Sequence, residues 1–319
     1  MAKHPVSLDK IKTIALIASP NLGDGLVSMI IAHNLRRNGF RVTTFSNFLS
    51  ALKAYFPEED IQPFPNQMDS RRVLGNFDLL IYWFKSDYEK AFASEQWHSR
   101  VVTVNDYEPF LRAELMVNSH VKFCEEILGL AHVVKENGIQ AFPEWKFREH
   151  ARRVVIHPSA SVNSKQWLPK RFIALAQQLK AKNYQPVFVL APNEEDQFSW
   201  IPQHGLEYIA EPNLGALARF LYESGWFIGN DSGIGHLASN FGIPTVVLFS
   251  RKSKKRRWRP GWAPGEALTP LISLSMGAWE EHYWKYFISV ARVMRSFNNL
   301  NAIFPSSKNY FADGYQHPV

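Results

Sequence analysis

The sequence predicts two α/β domains in succession, each built on a doubly wound parallel sheet. Three observations predict this. Short apolar, β-branched runs alternate with stretches of helical spacing, the alternation pauses near residue 138 and restarts at 153, and 319 residues exceed what one small core needs. Hydrophobic residues at 46% and charged residues at 20% describe a globular chain. No apolar run approaches the roughly 18 residues of a membrane span, and the run at 14–18 is short for a signal-peptide core. A cytoplasmic location is expected.

The first strand is expected over 11–18 (IKTIALIA), a continuous apolar run of the kind buried in a parallel sheet. A turn at 19–25 (SPNLGDG) leads to a helix over 26–38 that carries Leu26, Met29, Ile30 and Leu35 and stops at Gly39. Further strands are expected at 40–45, 77–84 and 101–104. Ligands of such sheets gather at the carboxyl ends of the strands, which places Asn21 and Asp24 at a cleft. Asp24 is equally suited there to cap the helix. Cys124 is the single cysteine, so an internal disulfide and a thiolate metal site are both excluded. The middle of the chain, with His120 and His132, shows no pattern that demands chemistry.

Residues 138–152 form the expected passage between domains 1–150 and 151–319. The second domain restarts with a strand at 153–157, a hydroxyl-rich loop at 158–165 ending in Lys165, a helix at 169–182 and a strand at 185–190. Ser159, Ser161 and Lys165 offer donors and a cation at a strand end, an arrangement that suits a diphosphate. Glu194 and Glu195 follow the next strand, where an acid can accept from ribose hydroxyls or lie in solvent. The stretch 227–250 (FIGNDSGIGHLASNFGIPTVVLFS) reads as strand, turn, helix and strand. Its turn holds Asp231, Ser232 and Gly233, and His236 lies one helical turn further on. Unpaired N–H groups and the helix dipole make such a start an anion site, although a capped helix with a buried histidine has the same pattern.

The order Asp231-Ser232-Gly233-x-x-His236-x-Ala238, followed by Gly242-x-Pro244-x-x-x-Leu248-Phe249, resembles the nucleotide-sugar site of glycosyltransferase family 9, the ADP-heptose:lipopolysaccharide heptosyltransferases. Leu22-Gly23-Asp24 stands where that family has its first strand-to-helix turn, and His157-Pro158-Ser159 with Lys165-Gln166-Trp167 matches its second landmark. Arg257-Trp258-Arg259-Pro260 resembles a third. The resemblance implies the GT-B architecture: two Rossmann-like domains facing across a cleft, acceptor in the first, nucleotide sugar in the second, and a C-terminal helix from about 278 returning to the first. It implies Asp24 as general base of an inverting transfer of heptose from ADP-heptose to a phosphorylated lipopolysaccharide inner-core acceptor. Ser159, Ser161, Lys165, Glu195, Asp231, Ser232, Gly233 and His236 become donor-binding residues, and Asn21 and Arg257 acceptor-binding ones. Two positions depart from the family: Ala18 replaces a common Arg, and Leu168 replaces a Pro that here comes one residue later.

No Asp-x-Asp sequence occurs, so a metal-independent site without cofactor is expected, with lysine and backbone donors holding the diphosphate. The alternatives keep the fold but change the sugar or acceptor, or make the chain a non-catalytic member. The net charge of +7 invites anionic partners, and seven of the 36 Lys and Arg lie between 251 and 259. That run reads as a solvated loop or as a patch for phosphorylated acceptor or the anionic inner membrane; nucleic acid is not the expected partner. The apolar spacing of Trp284, Phe287, Ile288, Val293, Met294 and Phe297 predicts a last helix over 278–300, before a loose tail.

Overall fold

The computed structural model describes residues 6–66, 69–83, 100–107, 114–271 and 282–305. The chain divides into two compact units, Met1–Gln140 and Ala141–Val319. The division falls before residue 150 because residues 141–149 pack on second-unit side chains. Trp145 lies 5.8 Å from the Tyr222 ring and 6.3 Å from Phe241, and the Arg148 guanidinium sits 5.0 Å over Trp226.

In the first unit β1 (Thr13–Ile17), β2 (Arg41–Phe45), β3 (Asp60–Gln62), β4 (Leu79–Tyr82) and β5 (Val101–Thr103) form a parallel sheet in the order β3-β2-β1-β4-β5. The chain winds outward from β1 to β3, then returns to the other side of β1 for β4 and β5. The reversal between β1 and β4 is where doubly wound sheets open a crevice. All four residues of β4 are buried, as a strand covered on both faces requires. At three residues, β3 is too short to show a period, and the sequence pattern misses it.

The helix after β1 spans Leu22–Arg37, starting at 22 instead of 26, so Asp24 sits in its first turn. Gly39, at φ +88°, closes the far end: the Gly39 and Phe40 N–H groups donate to Arg36 O (2.9 Å) and Leu35 O (3.2 Å). Only a residue without Cβ takes that conformation cheaply. Cys124 lies fully buried in a wide helical turn, Phe123–Ile127, and burial pushes its thiol pKa up.

The second unit has a parallel sheet in the order β11-β10-β9-β6-β7-β8. Its strands are β6 (His150–His157), β7 (Gln185–Leu190), β8 (Glu207–Ala210), β9 (Ser224–Asn230), β10 (Thr245–Leu248) and β11 (Gly265–Leu268). Winding reverses between β6 and β9, whose seven residues are all buried. Trp167, Phe172, Phe188, Trp226 and Phe297 anchor the core of this unit. The helix Gly233–Asn240 ends at Gly242, φ +82°, with Ile243 N–H donating to Ala238 O at 3.0 Å.

Two expectations change here. The basic run forms a helix, Lys252–Trp258, because Lys and Arg are good helix formers and nothing breaks the chain before Pro260. The last helix is in two pieces, a 3-10 turn Trp284–Tyr286 and a helix Val290–Ile303, because Ser289 caps the second by accepting from Arg292 N–H at 3.3 Å. The apolar face of the second piece is spent within its own unit, where Phe297 lies 4.9 Å from both Tyr184 and Trp226. Residues 278–281 of the expected helix and the tail 306–319 lie outside the described residues. No helix among the described residues is long and apolar enough to cross a membrane.

Candidate functional site

The second unit brings most of the expected residues to the carboxyl ends of β6 and β9, at the reversal of its sheet. His157 ends β6 and pairs in register with Gly229 of β9. A Cβ at Gly229 would meet His157 O at 2.9 Å and the Phe227 ring at 2.9 Å, so glycine is what lets the two strand ends approach. The loop after β6 carries Ser159, Ser161 and Lys165, and the turn after β9 carries Asp231, Ser232 and Gly233. Lys165 Nζ lies 3.5 Å from Asp231 Oδ2 and retains 35% of its side-chain exposure. One ammonium thus reaches both loops and remains open to solvent.

Asn230, fully buried at the end of β9, holds the β6 loop. Its Nδ2 donates to Pro158 O at 2.6 Å, and its Oδ1 accepts from Trp167 N–H at 3.1 Å. His157 holds the β9 turn in return, with Nδ1 3.1 Å from Ser232 Oγ and Nε2 3.4 Å from Ser159 Oγ. Burial pushes the His157 pKa down to about 4 against a weaker opposing pull from Glu194, so the ring is neutral near pH 7. Ser232 occupies the N-cap of the helix Gly233–Asn240, yet its side chain makes no capping hydrogen bond. The first N–H groups of this helix are thus not closed by their own cap.

His236 is buried to 5% exposure, and burial lowers its pKa to about 4 while a hydrogen bond with the Trp258 backbone opposes the shift. Its Nδ1 has no hydrogen-bond partner. It can meet a ligand as a neutral ring and not as a cation. Ser161 and Glu195 are exposed side chains on loops that follow β6 and β7, whereas Glu194 turns back to accept from Ala191 N–H at 2.9 Å. Trp167 is a packing residue: it is 2% exposed and its Nε1 donates to Ile288 O at 3.0 Å. Arg257 is half-buried on the basic helix Lys252–Trp258, while Lys252, Lys254, Arg256 and Arg259 are exposed.

In the first unit, Asp24 stands at the carboxyl end of β1, in the third position of the helix that follows. Its Oδ2 accepts from Ser19 Oγ at 3.1 Å and from Asn21 Nδ2 at 3.1 Å. Two donors thus converge on one carboxylate oxygen in the first turn of the helix. Asn21, expected to meet an acceptor, therefore orients Asp24, and its side chain does not cap the helix it precedes. Ser19, His157 and Asn230 are participants to which motif reading assigns no role, although His157 opens the landmark His157-Pro158-Ser159. A signal existed for the last two, since both are polar residues at the carboxyl ends of apolar strands.

Comparison with known proteins bears on both units. The family model described as glycosyltransferase family 9 (heptosyltransferase) matches residues 88–269. No protein with a curated description matches the sequence. A family 9 glycosyl transferase structure from Veillonella parvula is 18% identical with a TM-score of 0.75, over 94% of this chain and 100% of that one. The ADP-heptose LPS heptosyltransferase II of E. coli gives 16% identity and 0.65 over 92% and 99%. E. coli heptosyltransferase WaaC with ADP gives 11% and 0.68 over 90% and 99%. At these identities the structures are alike in fold.

Proposed function

We propose that this chain, which belongs to glycosyltransferase family 9, transfers heptose from ADP-heptose to a phosphorylated lipopolysaccharide inner-core acceptor with inversion. Membership makes it a glycosyltransferase; donor, acceptor and stereochemistry are our reading. The observation that carries it is the pairing of Lys165 with the uncapped helix start after β9 at the sheet reversal. Similar structures include one holding ADP and one holding an ADP-fluoroheptose, which supports an ADP-sugar here.

In this reading the diphosphate lies over Gly233 N–H and its neighbours, with Lys165 as counter-ion and Ser159 as hydroxyl donor, while Ser232 borders the site with its hydroxyl turned to His157. Ser161, Glu195 and His236 line the outer and inner margins of the same donor site. The acceptor oxygen attacks the anomeric carbon from the face opposite the leaving ADP. Its proton passes to the Asp24 carboxylate, the C1–O bond to the diphosphate breaks, and the bonding pair leaves with ADP. The growing charge on the diphosphate is met by Lys165 and the helix start, so the transfer is proposed to proceed without metal or other cofactor. Arg257 and the Asn21–Asp24 pair are assigned to the acceptor side, and the basic helix to anionic groups of the acceptor or of the inner membrane surface.

A second reading keeps the fold and changes the acceptor, and Ala18 favours it. This residue is 3% exposed at the position where the family commonly carries an arginine, so whatever that arginine contributes to acceptor binding is absent here. Incubation with ADP-heptose and a heptose-free core acceptor, followed by NMR of the product's anomeric proton, tests the reading. One inverted glycosidic product with loss in Asp24→Asn supports it, and turnover only with another nucleotide sugar sinks the heptose assignment.

A further inference from the structure

The N-cap serine of a helix ordinarily turns its hydroxyl inward to accept from the N–H two or three residues on, and so closes the helix start. Ser232 has the extended N-cap backbone for this, φ −148° and ψ 160°, but makes no such bond. Its Oγ is instead 3.1 Å from His157 Nδ1 on the neighbouring strand. The ring is held from its other side as well, with Nε2 facing Ser159 Oγ, and the strand end it occupies is tied down by Asn230 through Pro158 O. His157 is 7% exposed, so the ring itself is shielded from solvent.

We propose that His157 is a positioning residue that keeps the helix start Gly233–Asn240 open for a diphosphate, by drawing the Ser232 hydroxyl off the cap position. The inference rests on the donor site proposed above and assigns a role to a residue outside it. Without the imidazole, Ser232 rotates about one bond, accepts from the helix N–H groups and competes with the phosphate oxygens for them. A cap of this kind corresponds to about 1 kcal/mol, hence a loss of roughly five- to tenfold in affinity. A neutral ring is well matched to this role, because one nitrogen donates while the other accepts, and two hydroxyls are oriented without added charge.

The test is ADP and inorganic pyrophosphate binding by calorimetry, with thermal unfolding of the ligand-free protein, for wild type, His157→Leu, Ser232→Ala and the double variant. His157→Asn and His157→Gln are added because the Asn amide lies near the Nδ1 position and the Gln amide near Nε2. The expected pattern is a five- to tenfold weaker ADP in His157→Leu, recovery in the double variant, and near wild-type binding in His157→Asn but not His157→Gln. A merely structural role would not give recovery on deleting a second polar group, nor separate Asn from Gln. His157→Leu binding within twofold of wild type overturns the proposal, as does a double variant no better than His157→Leu. If the leucine variant does not fold, equal affinities for the Asn and Gln variants overturn it. Wild type that binds neither ADP nor pyrophosphate refutes the donor-site reading itself, and the role of His157 with it.

Discussion

Replacing Lys165 by alanine tests the donor site through its most exposed cation. Two unit charges about 4 Å apart interact by about 4 kcal/mol at an effective dielectric near 20. With Lys165 35% exposed, solvent screening brings the expected loss down to roughly 2–3 kcal/mol, or about 30- to 150-fold in ADP affinity. A second effect follows from the pairing with Asp231. In Lys165→Ala that carboxylate, 17% exposed, loses the lysine ammonium from beside it while it still faces the diphosphate. The double variant Lys165→Ala/Asp231→Asn should therefore bind ADP several-fold better than Lys165→Ala alone. Calorimetric titration at 50 and 200 mM salt measures both, and the wild type should lose more affinity with salt than Lys165→Ala does. Affinity within threefold of wild type in Lys165→Ala would refute the placement of the diphosphate between the two loops.

Three further outcomes are expected. Asp24→Asn should lower kcat by about 10²–10⁴ in a transfer assay and leave the ADP dissociation constant unchanged, and a parallel loss of both would remove its role as base. Below pH 6.5 an unfolded chain protonates His157 and His236, whose folded values of about 4 keep them neutral, so stability present at pH 7 is lost as pH falls toward 4. The loss is roughly 2 kcal/mol per ring between pH 7 and 5, read by denaturant unfolding, and His157→Asn should halve the slope. Neutralising the exposed Lys254 and Arg256 to Gln should weaken sedimentation with phosphatidylglycerol vesicles by about 1 kcal/mol per residue, whereas unchanged sedimentation would leave the basic helix without a membrane role.

Much of this was legible in the chain because the signals are local. Apolar runs locate β1, β6, β7, β9 and β10, and Gly39 and Gly242 end their helices with the positive φ that such stops require. The loop residues Ser159, Lys165, Asp231 and Ser232 fall at strand ends by the same logic. What escaped depends on strand order. The ties of His157 to Ser232 and of Asn230 to Pro158 exist only because β6 and β9 are neighbours, although 72 residues separate Asn230 from Pro158. No periodicity encodes that adjacency. The early start at Leu22 was hidden by Gly23 and Gly25, poor helix formers within the first turn. The break at Ser289 was hidden because apolar residues keep helical spacing across it, while the cap is made by one hydroxyl.

The most direct test of the central claim is calorimetric binding of ADP, UDP and GDP to the wild-type protein in EDTA. A donor site built from Lys165 and the helix start predicts nucleotide binding without metal, reduced about 30- to 150-fold in Lys165→Ala, and the proposed ADP-heptose donor predicts that ADP is preferred over UDP and GDP. Binding that appears only with a divalent cation, or equal binding by wild type and Lys165→Ala, would contradict it.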